Sequence, residues 1–215
     1  MNNSIKDTVI YGAGGLGKEV LSLIRRDFVD RLRVVGFIDD APNMPSEVAG
    51  IKLLSKEVLA KHNLAVVLGF ANPKLKSNVL KELSAKTNLS FPKIVSKKAV
   101  VGSNVLIGIG TIITDFCWLS TDVVINDAVF INIGSAIGHD VTIGDCCSIM
   151  PQCAISGCVK IGKETLIGAK SFILQGATIG DNATIIAGSV VCRSVGNNGV
   201  ALGNPARVLK GNTTQ

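Results

Sequence analysis

His139 and Asp140 stand next to each other in the stretch Ile137-Gly138-His139-Asp140, and His139 is one of only two histidines in 215 residues. An imidazole can accept a proton near neutral pH, and a neighbouring carboxylate can orient the ring and stabilise the imidazolium that forms. Such a pair suits general-base catalysis. We therefore take His139 as a candidate general base and Asp140 as the group that raises its basicity. A surface histidine without function is the alternative.

A second candidate site is the glycine pattern of Gly12, Gly14 and Gly17, which follows a short β-rich run at residues 8–11. A GxGxxG sequence between a strand and a helix presents backbone N–H groups and the helix N-terminus to phosphate. The domain ends after about three strands, half of what a dinucleotide site uses, so a nucleoside diphosphate fits better than NAD. A turn that only packs the helix on the strand is the alternative.

The elements that carry this loop alternate between strand and helix over the first 90 residues. Runs rich in β-formers lie at residues 8–11, 33–38 and 65–70, and apolar residues at helical spacing follow the glycines. Asn72 and Pro73 have the residue types of a helix cap and a first helical position. This order predicts a βαβαβ unit with a small parallel sheet, which is a Rossmann-like α/β domain.

The element that carries His139 is a repeat. From Val101 to Val191 every sixth residue is aliphatic, sixteen times without interruption. A helix of 3.6 residues per turn cannot keep this period on one face, whereas a parallel β-helix with coils of 18 residues can. Residues 18 apart then stack, so Gly157 and Gln175 follow His139 along one edge. His139 is not at an inward position, and Gly157 could offer its N–H to a tetrahedral oxyanion.

Composition and charge exclude several function classes. The net charge of +6 suits a polyanionic ligand such as a nucleotide or coenzyme A, but the Lys and Arg residues are scattered and lack an aromatic platform, so we expect no nucleic acid partner. No signal peptide and no run of 18 apolar residues occurs, which predicts a cytoplasmic protein without a membrane partner. The six cysteines form no CxxC pair and are expected to be reduced. The repeat holds one histidine, too few for a three-histidine metal site, so no metal is expected.

Four motifs in order carry a resemblance to a known family. They are YGAGGLGKEV at 11–20, GFIDD at 36–40, the His139-Asp140 pair and GNPAR at 203–207. Together they resemble the bacterial nucleotide-sugar acetyltransferases of the sialic-acid O-acetyltransferase-like family (NeuD/PglD type), over Thr8 to Gly211. The resemblance implies a nucleotide-sugar-binding domain at 1–90, a left-handed β-helix of hexapeptide repeats at 91–198, and a tail at 199–215. It also implies a homotrimer with acetyl-CoA between neighbouring β-helices.

The resemblance assigns further site residues. It implies that the glycine loop contacts the diphosphate or sugar, that the two aspartates after the second strand contact the nucleoside, and that two asparagines complete the substrate site: Gly12, Ala13, Gly14, Gly15, Asp39, Asp40, Asn72 and Asn132. For coenzyme A it implies Ser148, which stands where the family has a second histidine, together with Gly157, Ala169 and Ala187.

The activity implied is transfer of acetyl from acetyl-CoA to the 4-amino group of a UDP-, dTDP- or GDP-linked amino-deoxy sugar for bacterial surface glycans. No acyl-enzyme is needed, because a thioester is already activated. Two alternatives stay open. One is O-acetylation of sialic acid or another sugar, which would use the same base. The other is a trimeric nucleotide-binding scaffold without catalysis.

Overall fold

The structure is a computed structural model that describes residues 5–209, so positions 1–4 of the predicted first domain and 210–215 of the predicted tail lie outside the described residues. Two compact units are present. The N-terminal unit runs to Ala71 and includes Asn78–Pro92, and the β-helix unit comprises Asn72–Ser77 and the chain from Lys93. No helix within the described residues has the length and apolar character needed to cross a membrane.

The N-terminal unit is built on a four-stranded parallel sheet in the order β2-β1-β5-β6. Its elements, with α3 passing from one unit to the other, are β1 (Lys6–Tyr11), α1 (Gly15–Asp27), β2 (Leu32–Ile38), β3 (Glu47–Val48), β4 (Ile51–Lys52), α2 (Val58–Lys61), β5 (Leu64–Leu68), α3 (Pro73–Ser84) and β6 (Leu89–Ser90).

Apolar patterning explains this unit. All five residues of β5 are buried, as expected for an inner strand of a parallel sheet. Helix α1 buries Val20, Leu21 and Ile24, whose spacing of three to four residues forms one apolar face. The predicted Rossmann-like fold is confirmed, and β6 adds a strand that the sequence did not predict.

The β-helix unit consists of short strands that stack in three sheets, each strand pairing with the one a coil earlier and a coil later. In chain order they are β7 (Ile94–Val95), β8 (Val100–Val101), β9 (Leu106–Ile107), β10 (Ile112–Ile113), β11 (Trp118–Leu119), β12 (Val124–Ile125), β13 (Phe130–Ile131), β14 (Ala136–Ile137), β15 (Thr142–Ile143), β16 (Ser148–Ile149), β17 (Ala154–Ile155), β18 (Lys160–Ile161), β19 (Leu166–Ile167), β20 (Phe172–Ile173), β21 (Thr178–Ile179), β22 (Thr184–Ile185), β23 (Val190–Val191), β24 (Val200–Gly203) and β25 (Ala206–Leu209).

The six-residue period has a direct structural cause. In each two-residue strand the second residue points inward, and Ile131, Ile137 and Ile143 of one coil are all fully buried. Four residues later a small or β-branched side chain shares the interior; Cys117, Cys147 and Cys153 occupy such positions and are buried. Burial raises the pKa of the Cys147 thiol to about 12, so it stays protonated. The predicted left-handed β-helix is confirmed.

Each coil turns at three corners, which we name by their contents. The histidine corner lies between the sheets of β14 and β15 and comprises residues 138–140 and their equivalents one coil away. The aspartate corner lies between the sheets of β15 and β16 and comprises 144–146 and equivalents. The third corner lies between the sheets of β13 and β14 and comprises 132–134 and equivalents. The last residue of a corner often has a left-handed φ, for example 57° at Asp140 and 59° at Cys158.

The repeat extends beyond the predicted limits at its C-terminal end. Strand β24 pairs in parallel with β22, and β25 turns back on β24 as an antiparallel hairpin. The GNPAR sequence forms the end of this hairpin, with Gly203 paired to Ala206. Residues 199–209 therefore extend a sheet of the β-helix, whereas the sequence placed them outside the repeat.

Candidate functional site

The histidine corner holds His139 in a defined orientation. Its Nδ1 lies 2.7 Å from Oδ2 of Asp140, and the side chains of the two residues are 51% and 59% exposed. The other ring nitrogen lies over the next coil. A Cβ atom added to Gly157 would lie 2.4 Å from Nε2 and 2.6 Å from Cε1, so only a glycine leaves room for the ring. The imidazole is thus oriented by a carboxylate on one side and seated on a glycine on the other.

Gly157 also has a backbone N–H without an acceptor among the described residues. At the aspartate corner most of the equivalent N–H groups are bound: Ile109 donates to Asp127 Oδ1 at 2.8 Å, and Lys163 donates to Asp181 Oδ1 at 3.0 Å. The N–H of Gly157 therefore has no partner within the described residues, although Gly157 itself is buried beneath the imidazole. An N–H in that position can stabilise a developing oxyanion.

Cys158 joins this group, although the sequence predicted no role for it. It stacks on Asp140 one coil later, and its backbone N–H donates to His139 O at 2.8 Å. Ligand atoms of His139, Asp140 and Cys158 lie within 4.8 Å of one another, and all three residues are exposed. The separation of 18 residues between Asp140 and Cys158 is the signal that could have revealed the contact.

The predicted coenzyme A residues do not all meet at this corner of one chain. Ala169 and Ala187 lie at the third corner with Asn132, at the other end of the strands that lead to the histidine corner. The backbone N–H groups of the two alanines have no acceptor in the described part of the chain. Asn132 Oδ1 accepts the N–H of Ile133 at 2.7 Å.

Ser148 lies neither at a corner nor at the surface. It is the first residue of β16 and is completely buried. The structure leaves it no exposed surface for coenzyme A, and its predicted contact stays a prediction without support from the geometry.

The glycine loop has the form required for phosphate binding. Gly12 has a φ of 107°, and a Cβ at Gly17 would lie 2.0 Å from Gly12 O, so both positions require glycine. Gly14 is the N-cap of α1 without a side-chain cap, and Gly15 begins the helix. Both are exposed, and a Cβ at either would meet no atom within 4 Å. The start of α1, with its partial positive charge, faces open space.

Asp39 organises this loop, a role that the sequence did not predict. Its Oδ2 accepts the N–H of Ala13 at 2.7 Å, and its Oδ1 accepts the N–H of Ala41 at 2.9 Å. Because Ala13 lies between the strand and the helix, the carboxylate fixes the path of the loop.

Asp40 lies in a separate polar cluster with two residues that sequence reasoning missed. Tyr11 Oη donates to Asp40 Oδ2 at 2.5 Å, and the ammonium of Lys56 lies 5.4 Å from the centre of the Tyr11 ring. Burial, with the hydrogen bond to Asp40, raises the pKa of Tyr11. The interaction with Tyr11 raises the pKa of Lys56 further above its usual value. The three residues are far apart in sequence, and no motif connects them.

Asn72 caps α3 as its residue type predicts, because its Oδ1 accepts the N–H of Leu75 at 2.9 Å. One turn into the helix, Lys76 is buried against the aspartate corner. Its Nζ donates to the carbonyl oxygens of Ala128 at 3.0 Å and Cys147 at 2.7 Å. Burial lowers the pKa of Lys76 to about 7. Asn72 is exposed, and its predicted contact with the substrate stays a prediction.

Comparison with protein families matches two segments of the chain. Residues 7–83 match the PglD N-terminal domain, and residues 158–193 match the hexapeptide repeat of succinyl-transferase. These segments cover the glycine loop and the later coils of the β-helix. No curated protein sequence gives a significant match.

Solved structures share the fold over nearly the whole chain. PerB from Caulobacter crescentus in complex with CoA and GDP-perosamine is 25% identical with a TM-score of 0.86, covering 96% of this chain and 98% of PerB. WeeI from Acinetobacter baumannii is 27% identical with a TM-score of 0.71, covering 94% and 100%. The acetyltransferase domain of PglB from Neisseria gonorrhoeae is 22% identical with a TM-score of 0.85, covering 95% and 100%.

Proposed function

We propose that this chain, an acyltransferase of the NeuD/PglD type, transfers the acetyl group of acetyl-CoA to the 4-amino group of a nucleotide-linked amino-deoxy sugar. Two features of similar structures support the substrate class. PerB binds CoA together with GDP-perosamine, a nucleotide amino sugar, and the PglB domain binds acetyl-CoA. The nucleotide of this chain's substrate is UDP, dTDP or GDP, and its product serves a surface glycan.

The observation that carries the proposal is the His139 ring, held by Asp140 and seated on Gly157. In the proposed reaction the sugar amine attacks the thioester carbonyl while His139 removes a proton from the nitrogen. A C–N bond forms, and the oxyanion of the tetrahedral intermediate accepts a hydrogen bond from the N–H of Gly157. The C–S bond then breaks, and the imidazolium returns the proton to the coenzyme A thiolate. Asp140 stabilises the imidazolium throughout.

The glycine loop supplies the second half of the substrate site in this proposal. The N–H groups at the exposed start of α1 bind the diphosphate. Asp39 acts through the loop, because it holds Ala13 in place. Its contact with the nucleoside, and that of Asp40, follow from the family resemblance and are part of the proposal. We place the reaction in the cytoplasm, in keeping with six cysteines that are all free.

A homotrimer is the assembly we propose, because one chain divides the predicted residues between two corners. The sheet between those corners carries apolar side chains on its outer face, and Val100 and Trp118 there are 58% and 50% exposed. Packing this face against the next copy would bury apolar surface. It would also bring the third corner of one copy, with Ala169 and Ala187, towards the histidine corner of another.

Release of coenzyme A from acetyl-CoA tests the proposed function. We expect turnover with a nucleotide-linked 4-amino sugar and none with the matched sugar that has a hydroxyl at that carbon. Turnover with the hydroxyl sugar alone would establish O-acetylation instead. Binding of the nucleotide sugar in calorimetry without turnover of any acceptor would establish the scaffold alternative.

A further inference from the structure

Cys158 adds to the histidine corner a thiol that the proposed acyl transfer does not use. The corner presents an imidazole, a carboxylate and a thiol to solvent, and their ligand atoms lie within 4.8 Å of one another. Nitrogen, oxygen and sulfur donors of these types are those that bind Zn²⁺ in proteins. Of the six cysteines, only Cys158 and Cys192 are exposed, so Cys158 is one of two thiols accessible to a metal ion in solution.

The backbone fixes the group before any ion arrives. Asp140 and Cys158 occupy the same corner position in successive coils, with φ values of 57° and 59°. Equal backbone conformation directs both side chains the same way, and stacked coils lie about 4.8 Å apart. The bond from Cys158 N–H to His139 O, at 2.8 Å, ties the two coils together at this point. The three donors are thus held close to one another before any ion binds.

We propose that His139, Asp140 and Cys158 form an inhibitory site for a thiophilic divalent cation of the Zn²⁺ class. The cation is bound by one ring nitrogen of His139, a carboxylate oxygen of Asp140 and the sulfur of Cys158, and water completes the coordination. Cys158 loses its thiol proton to solvent as the S–metal bond forms, and His139 binds as the neutral ring. No electron is transferred.

Inhibition follows from the identity of the ligands and rests on the proposed function. A cation on Nε2 occupies the lone pair that would accept the proton of the attacking amine. A cation on Nδ1 replaces the hydrogen bond of 2.7 Å to Asp140. Either arrangement removes the general base, so the cation is an inhibitor and the reaction itself requires no metal.

Two measurements on the full-length protein test the site. The first is titration with Co²⁺ in the absence of substrates, followed by the absorption band that a cobalt–thiolate bond produces. The second is inhibition of coenzyme A release by Zn²⁺. The wild-type protein should show the band and be inhibited. Cys158→Ser should lose the band and require at least about 10-fold more Zn²⁺ for half-inhibition.

Cys192→Ser is the matched control, since Cys192 is the other exposed thiol and lies at the same corner two coils later. It should behave as the wild type in both measurements. Wild-type behaviour of Cys158→Ser, or loss of the band in Cys192→Ser alone, would overturn the proposal. Because the Co²⁺ titration contains no acetyl-CoA or sugar, a band that depends on Cys158 supports the site even if the acetyl transfer proposed above fails.

Discussion

The histidine corner and the aspartate corner have the same backbone path but differ in their middle N–H groups, most of which are bound at the aspartate corner, with Asp145 as the exception among the described residues. At the aspartate corner, side-chain oxygens of the next coil accept the N–H groups of Ile109, Asp127, Lys163 and Asp181 at 2.8–3.0 Å. At the histidine corner, the corresponding N–H groups of His139 and Gly157 have no acceptor within the described residues.

The difference separates a corner that holds coils together from one that can bind a ligand. Hydrogen bonds between coils stabilise the stack but consume the donors that an oxyanion would need. At the histidine corner the residues one coil after His139 and Gly157 are Gly157 and Gln175, which accept neither N–H, and the imidazole occupies the space over Gly157. The comparison predicts that changes at the histidine corner alter catalysis and that changes at the aspartate corner alter stability.

The strongest test of the comparison is Gly157→Ala. Gly157 has no left-handed φ, so its backbone accepts alanine, but the new Cβ would lie 2.4 Å from His139 Nε2 and displace the ring. We expect the rate of coenzyme A release to fall about 100-fold, since misplacement by about 1 Å can cost that much. The melting temperature should change little, because an exposed ring can move away.

Gly196→Ala is the control for this substitution. Gly196 lies at the aspartate corner, and a Cβ there would meet no atom within 4 Å. The Gly196→Ala enzyme should release coenzyme A at the rate of the wild type. A Gly157→Ala enzyme with a normal rate would show that the position of the His139 ring against Gly157 does not matter for the reaction.

The next effect in size is that of Asp140→Asn. Asparagine tolerates the φ of 57° at this position, so the fold is preserved while the charge beside the imidazole is lost. We expect a rate loss of about 10-fold, a part of the roughly 10²–10⁴-fold that general-base catalysis contributes. Asp122→Asn is the matched control, because Asp122 has the same corner position and φ one coil earlier. Equal rates for the two variants would remove Asp140 from the mechanism.

The β-helix could be predicted almost completely from the sequence, because the pattern of aliphatic residues that produces this fold is periodic. An inward aliphatic residue recurs every six residues, and this spacing depends on backbone geometry alone. The contact of His139 with Gly157 could be predicted only in part. The period placed the two residues on one edge, but the orientation of the ring, and thus the steric need for glycine, depends on a side-chain torsion that no period encodes.

Contacts between residues distant in sequence could not be predicted. Tyr11, Asp40 and Lys56 meet only because of how the N-terminal unit folds, and Lys76 reaches the carbonyls of Ala128 and Cys147 across more than fifty positions. The burial of Ser148 belongs to the same class. Its position in a strand was readable from the period, whereas the burial of its outward side depends on packing.

Lys76 provides a third test, at the aspartate corner. Its pKa is about 7 in the folded protein and 10.5 in the unfolded chain. The unfolded chain therefore binds more protons above pH 7, and stability should rise with pH from 7 to 8.5, by an amount on the order of 1–2 kcal/mol. Lys76→Met should flatten this rise in urea denaturation. Above pH 9 the trend reverses, because burial raises the pKa of the Cys146 and Cys147 thiols to about 11 and 12. A rise of equal size in the variant would contradict this account.

The smallest expected effect is that of Asp181→Ala. The substitution removes the acceptor of the Lys163 N–H at the aspartate corner. We expect the free energy of unfolding to fall by about 0.5–1 kcal/mol, the value of one such bond, with an unchanged rate of acetyl transfer. A loss of rate at full stability would show that the aspartate corner also belongs to the active site.

The central claim is that His139 is the general base, and the rate of coenzyme A release by His139→Ala tests it most directly. With a nucleotide 4-amino sugar as acceptor, we predict a loss of about 10²–10⁴-fold while circular dichroism and the melting temperature stay those of the wild type. A rate within a few-fold of the wild type would contradict the claim.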